Sequence, residues 1–141
     1  MPDVIHIEND YLAVAVSSLG AEMQSLSSKD GRNWLWNGDA AWWTGRSPIL
    51  FPIVGKAPND TLAVSGHTYE MSQHCIARRL EFTLVETTAS SCRHELVSNE
   101  ATKKTYPFDF RLSLTHMLDG CRLTVAAEVS NPSDAPLPFA I

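Results

Sequence analysis

The chain has 141 residues, a hydrophobic fraction of 44% and a formal net charge of −5. That length suits one domain able to bury roughly 70% of its unfolded surface, and the apolar content excludes wholesale disorder. The acidic balance argues against nucleic acid as a partner, and no apolar run approaches the roughly 20 residues needed to span a bilayer.

In chain order, residues 4–8 and 11–16 flank Asn9-Asp10, with Leu12, Val14 and Val16 on one face. Residues 21–27 and 33–36 flank the turn-like Lys29-Asp30-Gly31-Arg32, and Asp39 is placed to cap a helical turn over 40–43. Residues 61–64 and 67–71 flank Ser65-Gly66, and 81–86 pairs with 93–97. Ser98 or Asn99 caps a second short helical turn, 100–104, which Pro107 stops. The firmest signal comes next. Phe110, Leu112, Leu114, His116 and Leu118 alternate with polar residues up to Asp119-Gly120, and alternation resumes with Cys121, Leu123, Val125, Ala127 and Val129. Alternation across Asp-Gly predicts a hairpin with a type I′ turn, positive in φ at both central residues. The whole reads as an all-β chain of antiparallel hairpins, a β-sandwich, forming one domain over 1–141 with no internal boundary. After the loop at 131–136, Leu137-Pro-Phe-Ala-Ile141 opens a new apolar strand and stops, so the sequence reads as cut short.

The N-terminus has no signal-peptide pattern. Three cysteines, Cys75, Cys92 and Cys121, lie far apart without a CxxC pair, which suits a reducing cytoplasm; Cys92 and Cys121 read as small buried hydrophobes. His67, His74 and Cys75 match no zinc spacing, so no metal is expected. No nucleophile–base arrangement stands out.

His74 is the leading candidate for chemistry. It lies between Ser72-Gln73 and Cys-Ile-Ala-Arg-Arg, where a strand-to-loop transition leaves it at a sheet edge. An imidazole there donates to a sugar oxygen or exchanges a proton near neutral pH; the alternative is a hydrogen-bonded structural histidine. His6, His67 and His94 read as exposed strand residues and His116 as partly buried. Lys56 follows Gly55, but no G-x-x-x-x-G-K-[ST] surrounds it, which leaves a ligand contact or a solvated loop lysine. Arg46 and Arg78 carry guanidinium forks suited to vicinal hydroxyls or phosphate, and Arg78 is equally placed to pair with Glu81. Trp34, Trp36, Trp42 and Trp43 suit either a stacking platform for a sugar or the core, and core packing is the expectation, since Trp34 and Trp36 share one strand face.

Four segments taken together, G-A-E-M-Q-S-L at 20–26, W-L-W-N-G-D-A-A-W-W at 34–43, S-P-I-L-F-P-I-V-G-K at 47–56 and Q-H-C-I-A-R at 73–78, resemble the aldose 1-epimerase (galactose mutarotase-like) family. N-E-A-T-K-K-T-Y-P-F-D-F at 99–110 and the closing P-L-P-F-A-I match its bacterial branch near the hexose-6-phosphate epimerase relatives. The resemblance implies a large antiparallel supersandwich that binds a hexose or hexose phosphate without metal, nucleotide or other cofactor. It also implies interconversion of α and β anomers, a carboxylate taking the C1 hydroxyl proton while a histidine protonates the ring oxygen.

On this resemblance His74 matches the first family histidine, which contacts the sugar and supports the acid. Arg78 matches the arginine of the same motif, and Arg46 lies near the arginine that phosphosugar relatives use. Lys56 stands where many members have arginine, which weakens a bidentate grip. Cys75 and Ile76 replace the usual glycine and aromatic residue. Members are about twice as long, and the acid histidine and base carboxylate follow the P-F-A-I segment, so the chain corresponds to the N-terminal half. Three readings stand: a half-domain lacking the proton-transfer pair, a non-catalytic carbohydrate-binding module, or an interaction protein that self-associates through exposed strand edges.

Overall fold

The computed structural model describes residues 1–141. Nine strands form: β1 (Val4–Glu8), β2 (Leu12–Ser17), β3 (Met23–Ser28), β4 (Thr61–Val64), β5 (His67–Glu70), β6 (Thr83–Thr87), β7 (Ser91–Val97), β8 (Arg111–Asp119) and β9 (Arg122–Ser130). One short helix, α1 (Glu100–Lys103), joins β7 to β8. The strands make three antiparallel sheets, β1-β2-β3, β4-β5 and β6-β7-β8-β9. The expected all-β sandwich is what forms.

Period-two patterning decides which faces meet. Ile7 of β1 and Leu12, Val14 and Val16 of β2 turn inward against Cys92 of β7 and Leu118 of β8, and this cluster joins the first sheet to the four-stranded one. A larger core gathers Leu96, Phe110, Leu112 and Leu114 under the irregular segments that carry Phe51, Met71, Cys75, Ala77 and Phe82. Phe51 is its aromatic hub, with ring centroids 5.9 Å from Tyr106 and 5.2 Å from Phe110. Each such side chain contributes about 1.5–3 kcal/mol on burial.

Local chemistry explains the connections. Asn9 Oδ1 accepts from the N–H groups of Tyr11 and Leu12, closing the β1–β2 turn, while its Nδ2 donates to Gly120 O at 2.9 Å and ties that turn to the β8–β9 hairpin. Asn99, rather than Ser98, caps α1 in a reciprocal capping box with Thr102. Ser65 and Gly66 both have positive φ, the twist a tight β4–β5 hairpin needs.

The β8–β9 hairpin departs from expectation in one detail. Asp119 pairs with Arg122, so the central residues are Gly120 and Cys121, and of these only Gly120 has positive φ (54°). That is the glycine placement of a type II′ turn rather than I′. It leaves Cys121 exposed in the turn, not buried as expected.

Other expectations are corrected. The strand over 33–36 shrinks to a single bridge on the open edge of β3, Ser27 to Asn33, with one further bond from the Trp34 N–H to Leu26 O at 2.8 Å, because the chain then peels away into the turn that Asn37 Oδ1 holds by accepting from the Asp39 N–H. The tryptophans go with it: Trp34, Trp36, Trp42 and Trp43 are all exposed, at 59%, 40%, 82% and 50%, and none enters the core. Asp39 Oδ1 does cap the N–H of Ala41, but only a turn follows, not a helix. His94 shares its face with Cys92 and Leu96, so it is buried (1% exposed), and His116 is fully rather than partly buried (2%).

Candidate functional site

The chain leaves the first sheet, crosses the molecule through residues 46–55, makes the β4–β5 hairpin and returns through 71–82. Two hydrogen bonds clasp the outgoing and returning strands of this excursion. The His74 N–H donates to Gly55 O at 2.9 Å, and the Gly55 N–H donates to His74 Nδ1 at 2.9 Å. Met71, Cys75 and Ala77 around the histidine are buried in the larger core, so the half-buried ring stands on a packed base.

The clasp fixes the tautomer. A nitrogen that accepts from a backbone N–H cannot carry a proton, so the neutral ring holds its hydrogen on Nε2. Gln73 Nε2 lies 3.2 Å from His74 Nε2, and since both carry hydrogen, the amide accepts from the ring only when turned over to present its Oε1. His74 is therefore built as a hydrogen-bond donor at the surface.

Backbone strain marks the same spot. His74 (φ 61°) and Cys75 (φ 50°) both sit in the left-handed region, which costs a non-glycine residue about 1–2 kcal/mol. The Cys75 N–H bonds Ser72 O at 2.8 Å and its side chain is 2% exposed, so bonding and burial hold the turn. Burial pushes the Cys75 thiol up to about 11, against smaller opposing effects of a backbone hydrogen bond and Arg79. It stays protonated near neutrality and is no nucleophile.

Arg78 follows in a turn of 3-10 helix, Ala77–Arg79. Its Nη2 donates to Gln73 O at 3.2 Å, so the guanidinium braces the loop that presents His74, and it does not pair with Glu81. Arg78 lines a cleft of about 240 Å³ together with Arg79, Glu22 and Trp43. Lys56, next to the clasp, is exposed and makes a loose ion pair with Asp60 at 3.7 Å.

Arg46 does not join this group. Its guanidinium bonds Gln24 Oε1 and, at 2.8 Å, Asn37 O, lining a separate cleft of about 220 Å³ with Trp36. Glu22 anchors the same stretch, its Oε1 accepting from the N–H groups of Arg46 (2.6 Å) and Ser47 (2.9 Å). The structure thus brings His74, Gly55, Gln73 and Arg78 together, with Lys56 at the edge, and sets Arg46 apart. Sequence reading passed over Gly55 and Glu22 as functional groups. A backbone N–H leaves no signal in composition, and a lone glutamate has no spacing to betray it.

Comparisons with known proteins agree on one assignment. The aldose 1-epimerase family model matches residues 3–141. The LacX protein of Lactococcus lactis subsp. lactis is 31% identical over 97% of this chain and 48% of its own length. A galactose mutarotase-like protein from Lactobacillus casei superposes with a TM-score of 0.94 at 36% identity, covering 97% of this chain and 47% of that one. A galactose mutarotase related enzyme from Lactobacillus acidophilus gives 0.91 at 35% identity, covering 94% and 44%. The chain spans about half the length of the curated relatives it matches. The protein belongs to the aldose 1-epimerase family.

Proposed function

We propose that this chain supplies the histidine-bearing half of a surface that binds a hexose or hexose phosphate, and that anomerisation needs groups it does not carry. The clasp between His74 and Gly55 carries the reading. It holds Nε2–H as a fixed donor, the group a sugar hydroxyl or ring oxygen accepts from, on a rigid base and beside a second polar side chain, Gln73. Arg78 supplies a guanidinium for vicinal hydroxyls or a phosphate, and Lys56 a mobile cation at the rim. Arg46, held by Gln24 and Asn37, serves the loop rather than this ligand.

Proton transfer at both C1 hydroxyl and ring oxygen calls for two groups in opposite protonation states. The ring partners of His74 are a backbone N–H and an amide, and neither is a carboxylate. Polarimetry of freshly dissolved α-glucose or α-galactose is therefore expected to show no acceleration by this polypeptide alone, and clear turnover would sink that expectation.

Binding is tested by titrating hexoses and hexose 6-phosphates against tryptophan fluorescence, since Trp43 lines the Arg78 cleft. The response should vanish in His74→Ala; an unchanged response would remove His74 from the site. Three free cysteines accord with residence in a reducing cytoplasm, which forms part of the same proposal. A second reading, self-association, is favoured by the unpaired outer edge of β9. Light scattering checks it, and a clean monomer at working concentration counts against it.

A further inference from the structure

The turn that follows β2 aims a carboxylate at the Arg78 cleft. Gly20 (φ 69°) and Ala21 (φ 46°) are both left-handed, Ala21 is fully buried, and the Ser17 N–H closes the turn on Glu22 O at 2.9 Å. Such strain persists only where the surroundings over-determine it. Here the Gly20 N–H donates to Leu80 O and the Phe82 N–H to Ser18 O, both at 2.8 Å, which locks the turn against the segment after Arg78. Glu22 thereby lines the same cleft of about 240 Å³ as Arg78, Arg79 and Trp43. Its Oε1 is occupied by the N–H groups of Arg46 and Ser47, whereas Oε2 takes no bond from the protein. Neither arginine forms an ion pair, and Arg78 Nε is buried without a partner. Trp43 is a fixed wall. Its indole lies on Gly45, where an added Cβ would run into the ring, and the Trp36 indole N–H donates to Trp43 O at 2.8 Å.

We infer that Glu22 Oε2, the Arg78 guanidinium and the Trp43 indole form a subsite for the uncharged, hydroxyl-bearing ring of a hexose, in which Glu22 selects hydroxyl over phosphate. The inference rests on the sugar-binding reading and narrows it. A hydroxyl both donates and accepts, and the two polar walls are of opposite kind: Oε2 only accepts a hydrogen bond and the guanidinium only donates. A phosphate in the cleft satisfies the guanidinium but sets its own charge against the carboxylate, and a like charge built into a site selects against such a ligand. The indole face covers the apolar C–H side of the ring. Two backbone N–H groups already pin Oε1, so Oε2 is held in place with little further ordering on binding.

The test is calorimetric titration of the chain with glucose, galactose and inorganic phosphate. Glu22→Gln keeps an oxygen for the Arg46 and Ser47 N–H groups but puts an amide that only donates in place of Oε2. It should weaken hexose binding about tenfold and strengthen phosphate binding about threefold or more, with the denaturation midpoint near that of the parent. A glutamate that merely anchors the loop would move both affinities down or neither. Trp43→Leu removes the wall but no hydrogen bond of the loop and should weaken hexose binding about fivefold; it decides the matter if Glu22→Gln does not fold. Hexose affinity within about twofold of the parent in either folded variant overturns the inference, as does phosphate affinity that fails to rise in Glu22→Gln. Loss of hexose binding in His74→Ala with none in Glu22→Gln keeps the sugar-binding reading and overturns the subsite. The reverse pattern keeps the subsite and removes His74 from it, and a parent chain that binds no hexose overturns both.

Discussion

Lowering the pH from near 7.5 to near 5.0 should destabilise the folded chain through two histidines that take no part in the candidate site. His94 on β7 and His116 on β8 point into the sandwich from adjacent strands, His94 opposite Leu114 and His116 opposite Cys92. Both nitrogens of His94, and Nδ1 of His116, are buried without a hydrogen-bond partner. Burial, reinforced by the neighbouring His94, pushes His116 down from 6.5 to about 4, and burial likewise lowers His94. A depressed histidine is neutral when folded but binds a proton readily when unfolded. Its contribution is therefore intact above pH 6.5 and drains away as the pH falls toward 4. For His116 the full drop corresponds to about 3 kcal/mol, of which about 2 kcal/mol is lost by pH 5.0; His94 acts in the same direction. Glu8, Asp30 and Asp109 are also lowered, mainly by hydrogen bonds to Lys29, Ser28 and Lys103. Their losses begin only below 4.5 or 3.8, so the window above pH 5 belongs to the histidines. With a urea slope of about 2 kcal/mol per molar, the denaturation midpoint should fall by about 1 M between the two pH values. Equal midpoints would refute the reasoning, as would a pH slope that survives in a His94→Leu, His116→Leu double variant.

Three further predictions concern packing and turns. Phe51→Ala empties the hub of the larger core and should cost about 3–5 kcal/mol, measured as a shift in denaturation midpoint; a loss under about 1 kcal/mol would mean that the core collapses around the gap. Asn9→Ala removes two acceptor bonds within the first turn and the tie to Gly120, for an expected loss of about 1–3 kcal/mol, with a Tm within a degree of the parent as the contrary result. Gly20→Ala places a Cβ 3.1 Å from Arg78 Cα and O at a residue with φ +69°, so it should destabilise the fold by about 1–2 kcal/mol and weaken any sugar-dependent fluorescence change; a stable variant with a parent-like titration would dissociate Arg78 from the site.

The strands were legible wherever one face is buried and the other wet, because that contrast writes a period of two into the sequence. Leu112, Leu114, His116 and Leu118 announced β8 in this way. The same logic failed for 33–36: Trp34 and Trp36 alternate as a strand would, but the chain holds the open edge of β3 only through the Ser27–Asn33 bridge and the Trp34 N–H before it turns away. His94 was misjudged because a polar residue in an alternating run was read as outward; its inward position shows only against Cys92 and Leu96 once the register is known. Of the site, His74, Lys56 and Arg78 could be picked out by residue type. The Gly55 clasp could not, since it depends on a left-handed turn at two residues that do not favour one.

The clasp at Gly55 and His74 has a consequence for how this surface can change over time. It closes residues 56–73 into a loop whose ends are fixed by their own backbone, so the β4–β5 hairpin within it is anchored at its root and need not transmit its shape to the imidazole. Lengthening such a loop costs little, since the closure penalty grows only by about 0.6 kcal/mol per doubling. Evolution, or an engineer lengthening the hairpin at its Ser65-Gly66 tip while Leu62 and Met71 stay in the core, has a wall of adjustable height beside a donor whose position stays put.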